Sequence, residues 1–257
     1  MIRVLFNKKG GVGKSSLAVN LAAISASQGY RTLLIDLDTQ CNSTSYLNVT
    51  DLPKDSSIAD LFEQTITFHL HRRPASDFCY GTQVENLDII AGSERLNELE
   101  SELDSRHKIY KLREALDSLR STYQHIFIDT APALNFFSMS ALIAAQRCLI
   151  PIDCDDFSRQ GLYSLQRKIA EIKEDHNENL EIEGIIANQY MTNANLPKQI
   201  VNELIAEGFP VFSEYIGQSV KMRESHQAKK PLILLAPKHK LTQSLVGIFN
   251  LLDKNEI

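Results

Sequence analysis

Short apolar runs rich in leucine and β-branched residues recur along the chain, at Arg3–Phe6, Thr32–Asp36, Leu87–Ala91, His125–Asp129, Arg147–Ile152, Glu183–Asn188 and, as a shorter candidate, Pro210–Phe212. They do not alternate with polar residues, and unbroken runs of this length suit strands covered on both faces, hence a mostly parallel sheet. Between them the apolar spacing becomes helical, over Ser15–Gln28, Arg95–Tyr123, Ser138–Ala145, Leu162–Asn177 and Pro197–Glu207, with Leu112, Leu116 and Leu119 on one stripe. Strands alternating with helices predict an α/β fold: a doubly wound, mostly parallel twisted sheet flanked by helices, with ligands at the carboxyl ends of the strands. A chain of 257 residues, 43% of them hydrophobic and without repeats or Pro/Gly-rich linkers, fits a single domain over residues 1–257. Thr65–Thr82 is the least patterned stretch; with His69, His71, Arg72 and Arg73 it reads as a solvated loop.

The first run leads into Asn7-Lys-Lys-Gly-Gly-Val-Gly-Lys-Ser-Ser16, and an Ala- and Leu-rich helical pattern follows. Strand, glycine-rich loop and helix in that order are the setting a phosphate-binding loop requires, which a chance glycine-rich turn would not supply. Gly10, Gly11 and Gly13 let backbone N–H groups approach a polyphosphate, and the helix starting near Lys14 adds its positive end. Lys14 is placed to reach β- and γ-phosphates, and the Ser15 hydroxyl to ligate Mg²⁺. The pattern G-x-x-x-x-G-K-[ST] is not met in full: Lys8 stands where its first glycine belongs, and Lys9 adds a second lysine.

K-G-G-V-G-K-S-S, with lysine at its first position, resembles the deviant Walker A motif of the ParA/MinD family of P-loop ATPases. The resemblance makes Lys9, Gly10, Gly11, Val12, Gly13, Lys14, Ser15 and Ser16 an ATP-binding loop and implies that Lys9 crosses an ATP-bound homodimer to touch the other subunit's nucleotide. Leu33-Leu-Ile-Asp-Leu-Asp-Thr-Gln-Cys-Asn-Ser-Thr44 is similar to the family segment D-x-D-P-Q-G-N-x-[ST], with Thr39 and Cys41 in place of proline and glycine. The family would have Asp38 orient the attacking water and belong, with Ser15, to the Mg²⁺ site. A carboxylate beside the loop suits that role, because phosphoryl transfer needs a positioned nucleophile and charge neutralisation more than a strong base. As a residue type, Asp38 equally suits a helix cap before Gln40.

His125-Ile-Phe-Ile-Asp-Thr-Ala-Pro132 resembles the family's Walker B strand, in which the final carboxylate, here Asp129, holds Mg²⁺ through water. Gly184-Ile-Ile-Ala-Asn188 matches the strand that ends near the base, which makes Asn188 a candidate adenine contact; capping a turn is its ordinary alternative. The likeness continues through Leu149-Ile-Pro-Ile-Asp153 and Gly161-Leu162 to Ile216–Leu232, which parallels I-P-R-N-V-R-L-S-E-A-P-S-Y-G-K-P-I without a gap, Gly217 replacing the proline.

A formal net charge of −5 disfavours nucleic-acid binding over the whole surface, so such binding requires a local basic patch. Lys221, Arg223, Lys229, Lys230, Lys238 and Lys240 supply one, with Glu224 the only acid among them. Phosphate contacts from this patch would give sequence-independent, salt-sensitive DNA binding; a plain solvated face is the alternative. By resemblance, Lys221 takes the place of an arginine that the family uses on nonspecific DNA. The family's other such position, in R-T-N-L, is Asn193 here, so the resemblance implies either weaker DNA affinity or affinity carried by Arg223 and the Lys229–Lys230 pair.

Cys41, Cys79, Cys148 and Cys154 form no C-x-x-C pair and read as free thiols in a reducing cytoplasm, which leaves a cluster-carrying iron protein without evident ligands. No uncharged apolar stretch approaches the ~20 residues of a membrane span, and the first run is too short for a signal peptide. Leu241, Leu245, Ile248, Phe249 and Leu252 form a stripe where the MinD branch carries a basic membrane-surface helix. Here lysines stand only at 240 and 254 of that helix, which suits core packing better than membrane binding.

No helix-turn-helix precedes the first strand, so the likeness is to the small ParA type, and operator binding is not expected. The resemblance implies a cytoplasmic, nucleoid-associated Mg²⁺-dependent ATPase, slow and partner-stimulated. It would dimerise on ATP, bind DNA without sequence preference, and segregate or position a plasmid, chromosome or protein assembly through a ParB-like or adaptor protein. The alternative is a MinD-like membrane-associated regulator of division or flagellar placement.

Overall fold

The apolar runs assemble into one twisted sheet in a computed structural model that describes residues 1–68 and 71–254, with the side chains of 156–160 left aside. His69 lies outside the described residues. The strands are β1 (Ile2–Leu5), β2 (Thr32–Leu37), β3 (Tyr80–Gly81), β4 (Leu87–Ile90), β5 (His125–Thr130), β6 (Arg147–Asp153) and β7 (Glu181–Asn188), in the spatial order β3-β4-β2-β5-β1-β6-β7. All pairings are parallel except that of β3 with β4.

Both faces of the sheet are covered, so the strands carry apolar side chains in either direction. Leu5, Leu34, Phe127 and Leu149 face a core shared with α1 (Lys14–Ser27), α10 (Leu232–Leu235) and α11 (Lys240–Lys254). Val4, Leu33, Ile128 and Ile150 face the opposite core, built with α3 (Ile58–Glu63), α4 (Leu96–Ser105), α5 (Lys111–Leu119), α6 (Phe136–Ala144), α7 (Asp156–Asp175) and α8 (Asn195–Ala206). The stripe of α11 is spent here: Leu245, Ile248, Phe249 and Leu252 are fully buried, and α11 packs on α1. Each such side chain contributes about 1.5–3 kcal/mol by leaving water. Among the described residues no helix is long and apolar enough to cross a membrane.

Three expectations are corrected. Arg95–Tyr123 is not one helix but two, because Leu103 and Leu112 are nine residues apart, about two and a half turns, so a continuous helix would put their stripes on opposite faces. The chain breaks between them, with His107 at φ 55°. Pro210–Phe212 is no strand; only Val211 bridges to Ile185. Thr65–Thr82 is more than a loop, since Ala75–Phe78 forms a 3₁₀ turn, Phe78 is buried under the Arg73 guanidinium at 4.4 Å, and β3 closes one sheet edge.

The strand order positions the site. β1 is central, and the chain crosses from β5 over it to β6, so the carboxyl end of β1 lies where the winding reverses. Register then brings carboxylates to that end: Leu5 pairs with Asp129, and Asp36 with Asp129.

Candidate functional site

The loop after β1 runs into α1, whose N-cap, Gly13, is left-handed at φ 89°. No side chain caps this helix and no acid occupies its first turn, so its N–H groups are available to an anion. Gly11 is also left-handed, at φ 77°. A Cβ on Gly13 would stand 2.3 Å from Asn188 Nδ2, so glycine is required there for both conformation and space. The structure gives Asn188 a use that neither adenine binding nor turn capping anticipated: its Nδ2 donates to the Val12 carbonyl at 2.8 Å. Gln189 Nε2 braces Gly11 in the same way, at 2.8 Å.

Lys14 is buried, and its Nζ donates to the Lys9 carbonyl at 3.2 Å. Desolvation lowers its pKa, opposed by the charges of Asp129 and Asp38. Lys9 contrasts with it: its Nζ reaches Asp153 Oδ2 at 2.8 Å and also pairs with Asp155, both in its own chain. Desolvation would lower the Lys9 pKa, but the hydrogen bonds and charges of these two carboxylates outweigh it and raise the pKa.

Three carboxylates gather at the carboxyl ends of β2 and β5. Asp36 is fully buried, and its Oδ2 accepts from the Thr44 N–H at 2.9 Å and the Thr44 hydroxyl at 2.8 Å. Burial raises its pKa. Asp129 is also fully buried; its pKa is raised by burial first and by the Asp36 charge second, with the Ser15 and Ser43 hydroxyls opposing. Ser43 Oγ donates to Asp129 Oδ2 at 2.7 Å, while Oδ1 makes no hydrogen bond although buried. Asp38 lines the open cleft, and its Oδ1 accepts from the Gln40 N–H at 3.0 Å. It therefore caps a turn rather than a helix, since α2 begins only at Asn42 (Asn42–Tyr46) after Cys41, left-handed at φ 51°. Cys41 thus holds a conformation that glycine adopts without strain.

This donor set fits Mg²⁺. An orphaned, buried carboxylate oxygen stands with hydroxyl oxygens at the foot of an anion-binding loop, and a divalent cation would offset the burial that raises the pKa values of Asp36 and Asp129. Among the described residues no cluster of three His, Cys, Asp or Glu side chains forms a metal cage. Mg²⁺ needs none, because it keeps several waters and takes one or two carboxylates plus phosphate. The cleft above, about 480 Å³, is lined by the loop, Asp38, Tyr46, Pro132 and His226.

Lys221 and Arg223 lie on α9 (Val220–Gln227), whose N-cap, Ser219, accepts from the Lys221 N–H at 3.1 Å. Lys221 pairs with Glu224, and Arg223, Lys229 and Lys230 are exposed. Asn193 lies apart, beside a cavity with Tyr190 and Tyr215. Sequence reasoning missed Asp36, Ser43 and His226 in the cleft region; the D-x-D pattern could have drawn attention to Asp36, whereas His226 carried no signal.

A family model described as "AAA domain" matches residues 1–182. "Chromosome partitioning protein ParA" of Myxococcus xanthus is 33% identical over 97% of this chain and 87% of its own length. "Sporulation initiation inhibitor protein Soj" of Bacillus subtilis is 31% identical over 92% of each. The chain belongs to the ParA/MinD family of P-loop ATPases, as a ParA-type member. Among solved structures, apo McdA from Cyanthece superposes with a TM-score of 0.85 over 98% of both chains at 20% identity. The septum site-determining protein MinD of Pyrococcus horikoshii, complexed with Mg-ADP, superposes at 0.79 over 99% of this chain and 96% of its own, at 21% identity. These two likenesses concern the ParA-type fold alone.

Proposed function

We propose that this chain is an Mg²⁺-dependent ATPase that dimerises on ATP, binds DNA without sequence preference, and segregates or positions a cargo through a partner that stimulates hydrolysis. The single observation that carries it is the division of labour between two lysines of one loop: Lys14 is buried at the anion-binding helix end, while Lys9 is held at the rim by Asp153 and Asp155.

In this reading the N–H groups from Gly10 to Ser16 cradle the polyphosphate and Lys14 neutralises its β- and γ-oxygens. Ser15 and Asp129 would hold Mg²⁺, whose charge stabilises the oxygens of the group transferred. Asp38, open to the cleft, orients the attacking water. Lys9 leaves its two aspartates to complete the neighbouring subunit's site. That exchange is energetically accessible, because partly exposed ion pairs are worth only about 0–1 kcal/mol each, whereas a dimer seam that excludes water strengthens contact with a γ-phosphate. The slow basal rate follows from a site completed only in the dimer.

The names of the relatives, chromosome partitioning and sporulation control, support a cargo of DNA, and the basic segment around α9 supports nonspecific DNA as the track. Burial of the α11 stripe against α1 disfavours the MinD-like membrane alternative. The test is molar mass by light scattering with ATP or ADP, for wild type and Lys9→Ala, beside phosphate release with and without DNA and vesicle sedimentation. A dimer with ATP only, lost in Lys9→Ala, is expected. A monomer in every state, or sedimentation with lipid but not DNA, would overturn the reading.

A further inference from the structure

Two cavities meet at the start of α1. The larger is the phosphate cleft; the smaller, about 210 Å³, extends past Asn188 and Ile216 toward Met222 and Leu241. Gly11, Gly13, Ser16 and His226 line both, and at the junction Ser16 Oγ and His226 Nε2 stand 2.9 Å apart in a hydrogen bond. A nucleoside triphosphate whose phosphates rest on the loop and whose nucleoside enters the smaller cavity must pass this pair.

His226 also belongs to α9, and among the contacts that join the segment carrying the basic patch to α1 and α2 are those of His226, Ser225 and Leu232. His226 reaches Ser16. The Tyr46 hydroxyl bonds to Ser225 Oγ and accepts from Asn20 Nδ2 at 3.0 Å. Leu232 N donates to Asn20 Oδ1 at 2.8 Å. The last two are buried, whereas the first opens on the cleft. The His226 ring additionally packs edge-on against Tyr46, with centroids 4.5 Å apart at 83°. A ligand atom at the junction therefore meets one attachment point of α9 directly, and through Tyr46 the next.

We propose that His226 is a positioning residue that couples nucleotide occupancy to α9: a bound nucleoside triphosphate takes the place of the Ser16 hydroxyl as the partner of His226 Nε2, and the exchange shifts Lys221 and Arg223. The inference rests on ATP binding to the loop. His226 departs from the ungapped family segment quoted above, which has proline at that position. The coupling needs no long pathway, because His226 is three residues from Arg223 and five from Lys221.

Hydrogen exchange with a slowly hydrolysed ATP analogue and Mg²⁺ tests it, comparing residues 9–16 with 219–232. In wild type both segments are expected to change exchange severalfold on nucleotide addition. His226→Ala is expected to keep the change at 9–16 at saturating nucleotide but lose at least half of that at 219–232. His226→Gln, which keeps a side-chain nitrogen for the same bond, restores it. Ser16→Ala, retaining its backbone N–H, is expected to speed exchange of 219–232 only without nucleotide, and serves where His226→Ala folds poorly. A wild-type-sized response at 219–232 in His226→Ala overturns the proposal, as does wild type that responds at 9–16 alone. Absence of any response at 9–16 in wild type would instead overturn ATP binding itself.

Discussion

The nucleotide cleft and the basic segment around α9 adjoin each other, yet they are built on opposite principles. In the cleft several groups are fixed by neighbours and by burial: Gly13 by its left-handed backbone and by Asn188 against it, Asp36 by the Thr44 N–H and hydroxyl, Asp129 by Ser43 and burial. Along α9 only Ser225 is buried; Lys221 is half-buried beside Glu224, and Arg223, with Lys229 and Lys230 just beyond the helix, is exposed. Burial makes the cleft intolerant of change, because a displaced charge there has no water to fall back on. Exposure makes the basic segment tolerant, because a solvated charge can be removed without leaving a buried partner unpaired.

The contrast breaks most visibly at Lys14. Lys14→Ala is expected to lower phosphate release by at least about 100-fold, the scale of losing a preorganised charge at the transferred group; a loss under tenfold would remove it from the chemistry. Next comes Gly13→Ala, which pays for a left-handed backbone and a contact at 2.3 Å. We expect about 2 kcal/mol of lost stability in denaturant melts, with nucleotide binding weakened as well.

A pH series sharpens the same side of the comparison. Asp36 and Asp129 have folded-state pKa values above those of the unfolded chain, so they cost the nucleotide-free fold stability as pH rises from about 4, the unfolded value, through their raised values. A site that holds Mg²⁺ needs them charged and relieves that cost. The increase in Tm produced by MgADP is therefore expected to be larger at pH 8 than at pH 6; an equal increase would contradict the carboxylates' role. The smallest effect belongs to the basic segment. Lys221→Ala together with Arg223→Ala is expected to weaken DNA binding while leaving it measurable, and to reduce the slope of log affinity against log salt by about two. An unchanged slope would mean that these residues form a solvated face.

Much of the cleft was legible in the sequence because its demands are local: a strand, spaced glycines and Lys14 occupy adjacent positions, and the apolar run that ends at Asp129 fixes its depth. The six strands that pair in parallel were legible for the same reason, their burial on both faces leaving no alternation to mistake, whereas β3 was not. What escaped needed the third dimension or more length. At five residues, α2 is too short for helical periodicity to register, so Ser43 could not be placed under Asp129. The division of Arg95–Tyr123 is hidden in the phase between two leucine stripes. His226 looks like any surface histidine until Ser16, 210 positions away in sequence, comes within 2.9 Å.

The proposed control of the basic segment by the nucleotide state of the cleft is tested most directly by measuring DNA affinity at fixed salt with ATP, with ADP and without nucleotide. Binding at least tenfold tighter with ATP than in either other state is expected, with the difference lost in Lys9→Ala. Equal affinity in all three states would contradict it.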